Sequence, residues 1–202
     1  MSGTVFVRHY DAPPIDRREI LRYAGVRGEA PELEAVLTSC LEELTGRLSY
    51  RVCFTELAVA ADRDTVRLGE TVLRSADLSR RLEGCSRAVV VAATVGNEPD
   101  RLIARYNRVS PARALMLQAV GTERVEALCD CFEAELREDT ERQGGRIRQR
   151  FSPGYGDLSL ALQSELFRLL DCPRRIGVVL NESLLMSPSK SVTAIIGIEK
   201  SE

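Results

Sequence analysis

The 202-residue sequence predicts an α+β domain, an antiparallel sheet flanked by helices. Three observations point there. Apolar residues recur at helical spacing through most of the first third, two β-branched runs then follow one another with no helix between them, and the chain closes on strand, polar loop and strand. Neither an internal repeat nor a linker-like break in composition is visible, so residues 1–202 read as one domain.

Taken in order, Ile15 to Gly25 reads as a short helix with Asp16 near its start and Gly25 as its stop. Pro31 falls in the first turn of a second helix, whose Leu33, Val36, Leu37, Cys40, Leu41 and Leu44 form an apolar stripe ending at Gly46. From Ser49, SYRVCFTELAVA and TVRLGETVL predict two strands. Ser75 to Gly84 predicts a brief charged helix, and Ser86 to Gly96 a strand apolar enough to be buried on both faces. A helix to about Val109 follows. Ser110-Pro111 then opens a long one reaching about Arg142, with Leu115, Val125, Leu128, Phe132 and Leu136 as its buried stripe and Gly144-Gly145 as its end. Arg146 to Asp157 has no periodicity and reads as a loop, after which Asp157 is expected to cap a helix carrying Leu158, Leu162, Leu166 and Leu169. Gly177 to Asn181 and Val192 to Ile198 are the closing strands.

Composition excludes several functions. Lys and Arg total 28 against 30 Asp and Glu, so no global field draws the chain to nucleic acid or an anionic membrane. Aromatics are 5% with no Trp, which argues against a stacking platform for bases or sugars. Six scattered cysteines include no CxxC, and Cys129 and Cys131 fall mid-helix, where they point to different sides. The first residues lack the pattern of a signal peptide, and no apolar run reaches the roughly 20 residues of a membrane span. Reduced, buried thiols and a cytoplasmic location are therefore expected. The single histidine, His9, sits near an end expected to fray, which leaves histidine-based catalysis and metal binding without support. The turn at Thr94-Val95-Gly96 lacks the phosphate-binding glycine pattern and reads as a plain strand-to-helix connection.

One segment has ligand chemistry. In Arg150-Phe-Ser-Pro-Gly-Tyr-Gly-Asp157, Pro153 and Gly154 suit a tight turn that exposes the backbone, and Gly154 leaves room for a ligand's approach. Arg150 offers a planar fork matched to a carboxylate, and Tyr155 a flat face with a polar tip. On the residues alone, a ligand loop and an ordinary connection between helices account for this segment equally well.

The succession ILRYAG, VVVAATVGNEPDRLIARY, VGTERVEAL, RFSPGYGD and LNESLLMSPSKSVTAIIGI, spanning about residues 15–198, resembles the activation domain of cobalamin-dependent methionine synthase, especially its short stand-alone relatives. The most specific parts are Arg150 to Tyr155 and Met186 to Thr193, separated by one helix. The resemblance implies an antiparallel sheet flanked by helices, with a shallow groove for S-adenosylmethionine. It also implies a role in remethylating a corrinoid oxidised to cob(II)alamin, with a flavodoxin-like protein supplying the electron.

Carried onto this sequence, the family's arginine falls on Arg150, its main-chain contact on Ser152, its tyrosine on Tyr155 and its glutamate on Glu126. Arg150 and Glu126 are expected to meet the carboxylate and ammonium of the ligand's amino-acid end, with Pro153 and Gly154 shaping the turn. Ser191 and Thr193 on the last strand fit either ligand contact or pairing within the sheet. The sequence departs from the family in two ways. It ends soon after SVTAIIG, where the family continues with tyrosine-bearing segments that help hold the adenosine, so adenosine recognition is expected to differ. It also lacks an Asp-x-His corrinoid-ligating motif. Cobalamin is thus expected only on a partner, a corrinoid-bearing methionine synthase or related methyltransferase.

Overall fold

The computed structural model describes residues 3–28 and 30–200; residues 1, 2, 29, 201 and 202 of the expected 1–202 span lie outside the described residues. Its architecture is the expected one: an antiparallel sheet with helices packed on both faces.

The chain begins with β1 (Phe6–Tyr10), a strand where the sequence predicted a frayed end. Its five residues pair antiparallel with Tyr50 to Phe54, so the long second strand supplies the order that local sequence does not. Helices α1 (Arg17–Tyr23) and α2 (Pro31–Leu44) follow as expected, and the Asp16 carboxylate accepts from the Arg18 and Glu19 N–H groups to cap α1. Next come β2 (Tyr50–Asp62), β3 (Thr65–Leu68) and β4 (Thr71–Arg74). The second predicted run is thus two strands, because Gly69, at φ +60, folds it into a hairpin.

After α3 (Ala76–Arg81) runs β5 (Cys85–Thr94), buried on both faces except at its first residues, as its apolar sequence predicted. Helix α4 (Glu98–Tyr106) leads into α5 (Pro111–Arg142), the longest element. Val125, Leu128 and Phe132 are buried as expected, but Leu115 is exposed and its neighbours Met116 and Leu117 turn inward instead. The stretch expected to be loop contains β6 (Gly145–Ile147), held by backbone pairing that side-chain periodicity does not reveal. The remaining elements are α6 (Leu162–Leu170), α7 (Cys172–Arg175), β7 (Val179–Leu180), β8 (Met186–Ser187) and β9 (Ser191–Lys200).

The main sheet runs β4-β3-β2-β5-β9-β6, with β1 beside β2; β7 and β8 form a separate small hairpin. Alternation along the strands sorts side chains to the two faces. Cys53, Ala88, Val90 and Ile195 pack under α3, α6 and α7, while Val52, Val89, Val91 and Ile196 pack under α5. Helices α1, α2 and α4 cover α5 through a third cluster around Ile20, Leu37, Leu102 and Leu117. Five cysteines are buried and Cys131 is half-buried, all as free thiols. Among the described residues no helix is long and apolar enough to cross a membrane.

Candidate functional site

A groove of about 1260 Å³ opens where β9 loses its neighbour. Strand β6 covers only Ile198 to Lys200, and the chain then stays beside β9 as far as Phe151, which exchanges backbone hydrogen bonds with Ile195 at 2.9 and 2.8 Å. Pro153, with no N–H to donate, follows, and the chain leaves the strand. On that side no strand among the described residues pairs with Ser191, Val192 and Thr193, and these form the groove floor. One wall is α5 with the segment from Arg150 to Tyr155; the other is the β7–β8 hairpin with Leu160 and Gln163.

The Arg150 loop is fixed from below. The Asp157 carboxylate accepts from the Ser75 hydroxyl, from the Ala76 N–H at 2.7 Å and from the Asp77 N–H at 3.2 Å. It therefore caps α3, some eighty residues earlier, and not the helix that follows it, as the sequence suggested; α6 begins only at Leu162 and has no side-chain cap. Asp77 in turn accepts from the Asp157 N–H at 3.2 Å. At Gly156, φ +54, an added Cβ would lie 2.2 Å from Asp77 Oδ2, so this close approach requires glycine. Hydrogen bonds from the Ser75 hydroxyl and the two N–H groups favour the charged form, and the Asp157 carboxyl titrates below its ordinary range.

Six of the seven residues singled out in the sequence line the groove: Glu126, Arg150, Ser152, Pro153, Tyr155 and Ser191. Gly154 is not on its wall. It holds φ +91, as a tight turn requires, and an added Cβ would face Leu160 on the groove's opposite wall at 3.4 Å. Ser191 is buried and committed, its hydroxyl donating to the Pro188 carbonyl and lying within hydrogen-bond distance of the Thr94 hydroxyl, both at 2.9 Å. The Thr193 hydroxyl donates to Gln163 Oε1 at 3.3 Å. His9 lies on β1, outside the groove lining.

Arg150 and Glu126 meet each other, where the sequence reading had both facing a ligand. Arg150 Nη2 donates to Glu126 Oε2 at 2.8 Å, and Nη1 donates to Asp130 Oδ1 at 2.8 Å and to Glu133. The three acids stand at i, i+4 and i+7 along α5, one face of the helix, so the arginine relieves a repulsion that the helix itself creates. Burial works against the guanidinium charge, but the bonds to Glu133 and Asp130 outweigh it and raise its pKa. Asp130 and Glu133 were missed as partners, although an acid stripe at this spacing calls for a neighbouring cation.

At the far end, the loop before β9 is tied down by Asp100, which accepts from the Ser189 N–H at 2.7 Å and from its hydroxyl at 2.5 Å. The Lys190 stem crosses α5 over Gly121, where an added Cβ would lie 2.8 Å from Lys190 Cγ, and its ammonium donates to Gln118 at 2.6 Å. Burial lowers the Lys190 pKa.

The antiparallel sheet flanked by helices is the fold of the MetH reactivation domain. The solved structure of the MetH reactivation domain bound to AdoHcy matches with a TM-score of 0.69 over 96% of this chain and 78% of that one, at 16% sequence identity. No protein-family model matches the sequence, and no curated protein does either.

Proposed function

We propose that the groove binds S-adenosylmethionine and that the chain presents its methyl group to a corrinoid carried by another protein. In this reading it acts in trans as an accessory to a cobalamin-dependent methionine synthase or related corrinoid methyltransferase, in methionine biosynthesis in a reducing cytoplasm. A flavodoxin-like donor supplies the electron that returns cob(II)alamin to its nucleophilic state. The carrying observation is that the Arg150 to Tyr155 segment and α5 wall one groove, on a fold whose solved counterpart is bound to AdoHcy.

The chemistry asks little of side chains as acids or bases. A sulfonium methyl is already activated, its transfer leaves a neutral thioether, and the protein contributes orientation and exclusion of water. One cation among three carboxylates also suits a ligand that bears both an ammonium and a sulfonium.

A second reading is a module that docks on a corrinoid protein without using the ligand. It is favoured by the Arg150 fork, whose two terminal nitrogens are already held by Glu126, Asp130 and Glu133. Calorimetric titration with S-adenosylmethionine and S-adenosylhomocysteine separates the two. The first reading expects saturable binding, and also a faster appearance of methylcobalamin when the chain is added to a cob(II)alamin protein with an electron donor and S-adenosylmethionine. No heat of binding and an unchanged rate leave the docking module.

A further inference from the structure

Charge along the groove is sorted by position. On the face of α5 that walls it, the acids Glu126, Asp130 and Glu133 are followed one turn on by Arg137. A glutamate four residues before an arginine makes a favourable helix pair, yet Glu133 is turned to Arg150, and Arg137 has neither an ion pair nor a hydrogen bond among the described residues. Helix α5 packs on β6 here, and two more cations reach the same stretch of groove. Arg148, just beyond β6, lies 3.0 Å from Glu199 and keeps 45% of its side chain exposed. Arg81, the last residue of α3, holds its guanidinium 4.8 Å over the Phe151 ring and donates to Gln149 Oε1 at 3.3 Å, with no carboxylate in bridging distance among the described residues. Three guanidinium groups thus stand against one carboxylate, a local cationic excess in a chain whose formal charge is −2.

We propose that this cationic end is a docking patch for a carboxylate-rich segment of the protein that accepts the methyl group, holding that protein over the groove while the acid-lined half takes the small ligand. The proposal rests on the preceding reading of the groove and deepens it by naming the chemistry that recognises the partner. Room for both follows from size. About 1260 Å³ exceeds the roughly 300–1,000 Å³ that one small ligand commonly fills, and Glu126 to Arg137 spans about 16 Å of helix. Guanidinium forks match carboxylates, and arginines around a half-buried apolar residue, here Ile147, have the composition of a protein interface. All three arginines are exposed, as suits a surface that a macromolecule covers. The overall charge of −2 turns away a nucleic-acid polyanion, whereas a protein segment with a few carboxylates meets chiefly the patch.

The test uses fluorescein-labelled poly-L-glutamate as the probe, read by anisotropy, beside calorimetry with S-adenosylmethionine. The unaltered chain should bind the polymer at about 50 mM salt and several-fold more weakly at about 300 mM, where charges are screened over a shorter distance. Arg137→Glu should weaken polymer binding by roughly tenfold, the pair Arg81→Gln with Arg148→Gln should act in the same direction, and both should leave S-adenosylmethionine affinity within about twofold. Arg168→Glu with Arg174→Glu, at exposed arginines of α6 and α7 outside the groove lining, should cost less than about twofold. With a corrinoid-bearing methionine synthase fragment that lacks its own reactivation domain, Arg137→Glu should also raise the fragment concentration that gives half the maximal rate of methylcobalamin formation. If the chain binds S-adenosylmethionine but polymer binding is absent, is equal in Arg137→Glu, or falls as much in the α6–α7 variant, the docking patch is overturned while the reading of the groove stands. An unchanged half-maximal concentration overturns it in the same way. If the unaltered chain binds neither the polymer nor S-adenosylmethionine, both fall.

Discussion

Helix α5 carries two arginine–carboxylate clusters, and they solve opposite problems. In the first, Arg124 and Glu123 are almost wholly buried, with 2% and 4% of their surfaces exposed. Arg124 Nε donates to Glu123 at 2.5 Å, and its terminal nitrogens donate to the Pro13 and Pro14 carbonyls at 2.6 and 2.7 Å, while Glu123 accepts from the Asp16 N–H at 3.0 Å. One cation meets one anion, and the remaining polar capacity is turned to the backbone entering α1. In the second cluster, a few residues along the same helix, Arg150 faces three acids at the groove, and Asp130 remains 69% exposed. The first cluster is closed and fastens the N-terminal segment to the core. The second is open to the groove, with anionic charge in excess.

The comparison breaks most visibly at Arg124. Replacing it with methionine strands a buried carboxylate and two proline carbonyls, and removal of one partner of a buried pair costs about 3–5 kcal/mol, a large share of the roughly 5–15 kcal/mol that holds a domain together. Urea denaturation should show that loss. The double change Glu123→Leu with Arg124→Met should recover much of it, because a buried pair replaced whole by apolar groups is often close to neutral. A single variant as stable as the parent would mean that the pair is not desolvated.

Arg150 should behave in the reverse way. Arg150→Ala should lower affinity for S-adenosylmethionine by about 1.5–3 kcal/mol, the scale of a hydrogen bond to a charged group, with a stability loss smaller than that of the Arg124 variant, because Glu126 and Asp130 stay solvated and only Glu133 is left buried without its partner. Arg150→Lys should restore only part of the affinity, since lysine cannot present a planar fork. Equal affinities in calorimetry would remove Arg150 from the site.

How legible each cluster was follows from the same contrast. Local patterns carried the helices: Asp16 with Gly25, Pro31 with its apolar stripe, and Ser110-Pro111 with Gly144 all bound elements close to where they stand. What failed was non-local. Strand β1 exists because β2 extends far enough to pair with it, and β6 because β9 does. Asp157 looked like a local cap and serves a helix some eighty residues away. At the site, the loop from Arg150 to Tyr155 was visible from Pro153 and Gly154 and from the family likeness, but its charge state was not. Whether Arg150 faces a ligand or Glu126, Asp130 and Glu133 depends on how the loop lies across α5, which residue spacing does not encode. Glu123 and Arg124, adjacent in sequence, look like an ordinary solvated pair until the N-terminal segment is folded over them.

The smallest expected effect concerns what holds the open cluster's loop in place, and it is read through pH. Asp157 is surface-exposed, yet its carboxyl is held below the ordinary range by the Ser75 hydroxyl and the first N–H groups of α3. A folded-state value below the unfolded value of about 3.9 means that the unfolded chain binds the proton more readily, so this contribution to stability is fully present above about pH 5. It is lost as pH falls through the depressed folded value. Asp157→Asn should therefore lower the melting temperature slightly at pH 7, and the gap between the two proteins should narrow as the solution is acidified below about pH 4. The Arg124 variants supply the contrast, because guanidinium groups do not titrate in this range and any narrowing of their deficit must come from the carboxylates left behind. A gap for Asp157→Asn that stays constant from pH 7 to pH 3 would assign the cap to the shape of the side chain and not to its charge, and the loop beneath Arg150 would then be held by the Gly156 approach to Asp77.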